Sequence, residues 1–271
     1  MASEGVIGTK IANSMNVVEL RDVSLVLDEA KIIRHVDWVI CKGEHWALIG
    51  PNGSGKTTLM RMINGYLWPT AGSATVLGKK FGSTDLRELR KSIGFASSFM
   101  SEKTPSEMPV LEVVLSGRFA SIGLYDLPTA KEVKKGRALL EKVGCLRLAA
   151  KSYHTLSEGE KQRVVIARAL MSSPKLLILD DSCAGLDMDA REDLLSLVDS
   201  LGRSATSPTM IFATHRVEEI SPVFTDVLLI KKGRVVASGP KKAVLTSENL
   251  RKAFGRDLIV VRKKERYNII P

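Results

Sequence analysis

The stretch HWALIGPNGSGKTTLMRMI constrains this chain more than any other. HWALIG reads as a buried strand, the Gly-rich segment as a loop, and the run from Lys56 as an amphipathic helix. Gly50 to Thr57 match G-x-x-x-x-G-K-[ST] in full, in the strand–loop–helix setting that gives the pattern its meaning. Gly53 and Gly55 let the backbone turn its N–H groups toward phosphate oxygens, and the helix N-terminus adds the positive end of its dipole. Lys56 is expected to reach the β- and γ-phosphates as a point charge, and Thr57 to offer its hydroxyl to Mg²⁺. The expected nucleotide-binding residues are Gly50, Pro51, Asn52, Gly53, Ser54, Gly55, Lys56, Thr57 and Thr58.

A phosphate loop needs a second Mg²⁺-orienting group at the end of a buried strand. LLILDD supplies it, with Asp180 ending an apolar run. Asp181 is then placed to take a proton from the water that attacks the γ-phosphate. A plain polar turn is the competing explanation for two adjacent acids.

The rest of the chain reads as an α/β fold with a parallel sheet. Val17 to Ile40 holds two strands, VVELRDVSLVL and RHVDWVI, separated by a polar break and partly alternating, as in an antiparallel sheet with one wet face. Strands are expected near 74–77 and 92–97, then a helical region from Met108 to about Ala150. Next come a helix over 157–172, a strand over 176–180, a helix over 187–202 and strands over 209–213 and 225–230. Apolar strands alternating with helices indicate a parallel sheet covered on both faces. The tail ends in a hairpin, DLIVV-RKKE-RYNII.

Composition bounds the class. The chain has 271 residues, 44% hydrophobic and 26% charged, enough for one large domain. No run approaches the roughly 18 apolar residues of a membrane span. The N-terminus lacks a signal-type apolar core, and the three cysteines lack metal-ligand spacing, so a cytoplasmic protein with reduced thiols is expected. The net charge of +10 is concentrated in residues 241–271, with nine Lys or Arg against three acids. Such a tail suits RNA, anionic lipid, an acidic partner or plain solvation.

LSEGE, Leu156 to Glu160, precedes the helix KQRVVIARALM, and Ser157 with Glu160 also forms an ordinary capping box. Taken with GPNGSGKT, LLILDD, CAGLD and ATH, in that order, it makes the chain resemble the ATP-binding cassette (ABC) ATPases, the motor subunits of ABC transporters. The resemblance covers about Val17 to Gly255. It implies a P-loop NTPase core of RecA-like type over 17–98 and 156–240, with an N-terminal antiparallel β-subdomain. A helical subdomain would be inserted over 99–155, with a lead over 1–16 and a basic tail over 241–271. It also implies that Ser157 and Gly159 contact the γ-phosphate of ATP held by a second copy, in a head-to-tail dimer. CAGLD would cross that interface, and His215 would sit beside the γ-phosphate.

Three departures matter. The family usually has Glu at position 181; Asp is one methylene shorter, and about 1 Å of misplacement costs about 100-fold. A Gln usually stands at the position of Ser98, where it senses Mg²⁺ or water, and a hydroxyl reaches less far. An aromatic ring usually stacks on adenine near Val26, Leu27 and Asp28, yet no Phe, Tyr or Trp lies between Val17 and His35. Aliphatic packing there implies a loss of about 1 kcal/mol.

In transporter cassettes the loop opening the helical subdomain, here FMSEKTPSEMP, receives a short helix of a membrane subunit. VLEVVLSGRFASIGLYD is similar to the cassettes of metal, metal-chelate and oxyanion importers. A permease partner, with the protein peripheral at the inner face of the cell membrane, is therefore expected. The rival is a soluble ABC ATPase working on nucleic acid or the ribosome. Fewer than 100 residues separate Thr58 from Leu156, too few for a long coiled coil, and one cassette is present where translation factors carry two. A soluble regulatory or repair role survives these exclusions, supported by the basic tail and the altered residues Asp181 and Ser98, and keeps a nucleic-acid partner open.

Overall fold

The computed structural model describes residues 16–119, 123, 127–263 and 265–270. All but Asn16 of the expected N-terminal lead lies outside the described residues, as do 120–122 and 124–126 of the importer-like stretch.

The chain opens with β1 (Asn16–Leu27) and β2 (Ala30–Cys41), joined by a two-residue turn. Asp28 and Glu29 both adopt positive φ, 45° and 64°, as a tight hairpin turn matching strand twist requires. The polar segment read as a break between short strands is this turn together with the first residues of β2. Leu27 pairs with Ala30 directly across it. After β3 (His45–Ile49) and α1 (Lys56–Ile63) come β4 (Ala71–Val76) and β5 (Lys79–Lys80), which complete an antiparallel sheet in the order β2-β1-β4-β5. Its inner face carries Val18, Leu20, Val23, Val36 and Ile40, all fully buried.

The main sheet follows from α2 (Leu86–Arg90) onward. It contains β6 (Ile93–Ser97), then α3 (Ser98–Lys103), α4 (Val110–Ser116), α5 (Ala130–Lys142), α6 (Glu158–Leu170), β7 (Leu176–Asp180), α7 (Met188–Arg203) and β8 (Thr209–Thr214). β9 (Asp226–Lys231) and β10 (Arg234–Pro240) complete it. The strand order is β10-β9-β3-β8-β7-β6, with every pair parallel except β9 with β10. All residues of β6, β7 and β8 are buried, as sheet strands covered on both faces must be.

The register of this sheet places the chemistry. Ile49 pairs with Thr214, Asp180 with Ala213, and Ser97 with Asp180. The carboxyl ends of β3, β8, β7 and β6 therefore lie in a row, and the loops that follow them share one edge, where open α/β sheets bind ligands.

Within the region expected to be helical, 108–150, the described residues form two main helices. α4 buries Val110, Val113, Val114 and Leu115, and α5 buries Gly136 and Leu140; both pack on α6. The tail adds α8 (Lys241–Val244), α9 (Ser247–Phe254) and a hairpin of β11 (Ile259–Lys263) with β12 (Arg266–Ile270). Its strands pair further toward the tip than the sequence suggests, with Arg262 opposite Tyr267 and Lys263 opposite Arg266. Tyr267 is buried beneath Lys241 and Arg262, and Arg266 pairs with Glu192 of α7 at 2.5 Å. Part of the basic tail is thus committed to packing. Among the described residues no helix is long and apolar enough to cross a membrane.

Candidate active site

The loop Gly50–Thr57 joins β3 to α1 and is braced by the turn between β9 and β10, which β2 holds in turn. Gly233, in the turn between β9 and β10, donates its N–H to the Ser54 carbonyl at 2.9 Å, and the Gly233 carbonyl accepts from Arg34 N–H on β2 at 2.8 Å. Two glycines have no alternative. A Cβ on Gly50 would lie 2.2 Å from the Ile230 carbonyl oxygen. Gly55 takes φ +103° as the cap of α1, and a Cβ there would meet Ile33 at 2.9 Å. The loop closes around its own lysine. Lys56 is 4% exposed, and its Nζ donates to the Gly50 and Pro51 carbonyls at 2.9 and 3.2 Å. Burial lowers its proton affinity, while the Asp181 and Asp180 carboxylates act in the opposite direction. Ser54 Oγ is buried and has no hydrogen-bond partner among the described residues.

Asp180 ends β7 at 2% exposure. Burial pushes its carboxyl up to about 6; a hydrogen bond from the Thr57 hydroxyl opposes this, and the neighbouring Asp181 charge adds to it. Its Oδ1 is buried without a hydrogen-bond partner among the described residues. An orphaned carboxylate oxygen beside a threonine hydroxyl is a donor set for a hard, oxygen-seeking dication. Among the described residues no group of three or more His, Cys, Asp or Glu is placed to hold a metal ion. The Asp180 and Thr57 pair fits Mg²⁺, which uses one or two protein oxygens with phosphate and water.

Asp181 begins the loop toward CAGLD with φ +48°, a conformation Asp tolerates better than most residues. Its N–H donates to the Ala213 carbonyl of β8 at 2.9 Å, and its Oδ1 lies 3.4 Å from His215 Nδ1. Both side chains are about one-third exposed, 30% and 32%, so both remain open to solvent and substrate. The structure thus gathers Lys56, Thr57, Asp180, Asp181 and His215 at one sheet edge. Ser98 is one residue past the end of β6, exposed, as the first residue of α3.

Ser157 and Gly159 stand elsewhere. Ser157 caps α6 in the anticipated box: Glu160 N–H donates to Ser157 Oγ, while the Ser157 N–H and hydroxyl both donate to Glu160 Oε2, at 3.0 and 3.1 Å. Ser157 is exposed, and Gly159 lies over α7, where a Cβ would meet that of Ala190 at 3.2 Å. At the adenine-side positions, Val26 and Leu27 are 36% and 37% exposed, and Val26 N–H is held by Thr70 Oγ1.

The sequence reading missed Thr214, Arg191 and Glu219. Glu219 is 4% exposed in a short helical turn after His215. Nothing in RVEEI separates it from the exposed Glu218, so no sequence signal marks it.

A phosphate loop, a buried strand-end aspartate, a second acid and a histidine on adjoining strand ends define a P-loop ATPase. The sequence model of the ABC transporter family matches residues 33–184, and the chain belongs to that family. It is 41% identical to the ABC transporter ATP-binding protein YlmA of Bacillus subtilis, over 92% of this chain and 95% of that protein. It is 30% identical to the manganese transport system ATP-binding protein MntB of the same organism, over 91% and 96%. Among solved structures it superposes on an inward-facing transporter described as metal-chelate type, with a TM-score of 0.78, 26% identity and coverage of 95% and 98%. It also superposes on a dimeric ATP-binding cassette bound to ADP and phosphate in a post-hydrolysis state, with a TM-score of 0.71, 26% identity and coverage of 82% and 98%. The protein is the ATP-binding and ATP-hydrolysing subunit of an ABC transporter.

Proposed function

We propose that this subunit works as a head-to-tail dimer with Mg²⁺ and drives a membrane permease that imports a metal ion or metal chelate. One observation carries the mechanism: the phosphate loop, Asp180, Asp181 and His215 share one sheet edge, whereas Ser157 is exposed and its hydroxyl, among the described residues, is bonded within its own capping box. Half a nucleotide site is fixed within the chain, and a second copy supplies Ser157 and Gly159 to complete it. Thr57 and Asp180 would hold Mg²⁺, which when bound offsets charge on the β- and γ-phosphate oxygens.

The chain's own residues do the rest. Loop N–H groups and Lys56 bind and orient the triphosphate. Asp181 accepts the proton of the attacking water, and His215, 3.4 Å away, orients that water against the γ-phosphate. ATP binding closes the dimer, and hydrolysis and release open it. The cargo class is supported by the manganese-system and metal-chelate-type relatives and by the importer-like stretch that begins at Val110; an oxyanion is the alternative cargo. The segment 99–109 would receive the permease, which places the protein at the inner face of the membrane. Affinity capture from detergent-solubilised native membranes, followed by mass spectrometry, tests this. Stoichiometric recovery of a multi-span membrane protein is expected. Recovery of ribosomal or nucleic-acid-bound proteins alone would overturn it.

A further inference from the structure

We propose that Glu219 is a positioning residue that fixes the His215 turn and ties it to the CAGLD loop of the same chain. Its carboxylate is buried, and buried charge must find partners. Oε2 accepts a 2.5 Å hydrogen bond from the Thr214 hydroxyl. That hydroxyl also accepts the Arg216 N–H at 3.0 Å. One side chain therefore ties together the residues on either side of His215, and Glu219 anchors it. The other oxygen, Oε1, lies 3.6 Å from Arg191 Nε on α7. Arg191 Nη2 in turn donates to the Leu186 carbonyl at 3.2 Å, inside CAGLD. Cys183 of that loop is 2% exposed and lies in the field of both Glu219 and Arg191.

The consequence is a two-armed brace. One arm sets the backbone that carries His215, whose imidazole must meet Asp181. The other sets the loop expected to cross to the second subunit. A shift of that loop at the dimer face moves Leu186, then Arg191, then Glu219, and so reaches the histidine without any contact to nucleotide. Glu219 touches no reacting atom; it acts through Thr214. Fold stability alone does not require this arrangement, since replacing a buried ion pair by apolar groups is often neutral.

The inference rests on His215 acting at the γ-phosphate, so His215→Ala is measured alongside. Turnover and KM for ATP are compared for Thr214→Val, Thr214→Ser, Glu219→Gln and the double Thr214→Val, Glu219→Gln. Thr214→Val removes the hydroxyl with little change of shape. It is expected to lower kcat about tenfold with KM within about twofold, while Thr214→Ser restores turnover. The double variant is expected to lose no more than the worse single one, because both remove the same brace. Multiplicative losses, a loss confined to KM, or an unaltered kcat in Thr214→Val would overturn the proposal. If Glu219→Gln fails to fold, the Thr214 pair together with Arg191→Lys decides, since Lys keeps the charge but not the reach to both Oε1 and the Leu186 carbonyl. An unaffected kcat in His215→Ala would refute the catalytic reading of His215, and this proposal with it. A deep loss there with an intact Thr214→Val refutes this proposal alone.

Discussion

The two ends of the proposed nucleotide site are built in opposite ways. The phosphate-loop end is set into the sheet. Lys56 and Asp180 are almost fully buried, the loop is held by the β9–β10 turn that β2 braces, and Asp181 is pinned to β8 through its amide. The Ser157 end is an exposed helix N-terminus whose hydroxyl is satisfied by its own capping box. Buried polar groups are costly unless partnered, so the phosphate-loop end has been assembled for a charged ligand. An exposed helix cap makes no such demand. On the proposed reading, the chain encodes one demanding half-site and one undemanding face, and a second copy would join them.

The comparison breaks most visibly at Asp181. Asp181→Asn keeps shape and hydrogen bonding but cannot take a proton, so kcat is expected to fall about 100-fold with ATP affinity preserved. Turnover equal to wild type in a steady-state assay would remove Asp181 from the chemistry. A smaller effect sharpens the adenine side. Leu27→Tyr returns a ring at a position that is 37% exposed and aliphatic, and should tighten ATP by about 1 kcal/mol, roughly fivefold in Kd by calorimetry. An unchanged Kd would show that adenine does not pack there.

The smallest effect concerns stability. Asp180 has a folded value of about 6 against an ordinary 3.8, so the folded protein holds that proton more tightly than the unfolded chain. Its contribution is therefore unfavourable once the carboxylate is ionised, and stability from this group declines as pH rises between 4 and 6. Asp180→Asn should raise the Tm of the nucleotide-free protein by about 4 °C at pH 8, and by less at pH 4, while turnover is lost. A lower Tm at pH 8 would show that Asp180 is stabilised in the empty site, against the orphaned Oδ1.

Legibility in the sequence followed locality. Gly50 to Thr57 was readable because glycine, lysine and threonine at fixed offsets leave few other uses for a loop. β7 and β8 were readable because strands buried on both faces must be continuously apolar. The start of β2 was not, since Asp28 and Glu29 form a hairpin turn without the usual Asn or Gly, and the turn looked like a longer break. Glu219 was invisible because its burial depends on α7 packing against the turn after β8, and its partner Arg191 lies on the far side of β8 in sequence. The capping role of Ser157 was also legible from its spacing to Glu160, and the structure forms it without excluding a second use of the exposed cap.

Subunit mixing tests the central claim most directly. Lys56→Ala spoils the phosphate-loop half and leaves the helix cap intact; Ser157→Arg does the reverse. Each protein alone should be nearly inactive. In a head-to-tail dimer of the two, one composite site is intact. Equimolar mixing should therefore restore ATP hydrolysis to as much as about a quarter of wild type, counting half the dimers as mixed and one site in two as whole. Activity no greater than the sum of the separate proteins, with mixed dimers demonstrated by differential tagging, would mean that each chain builds its site alone.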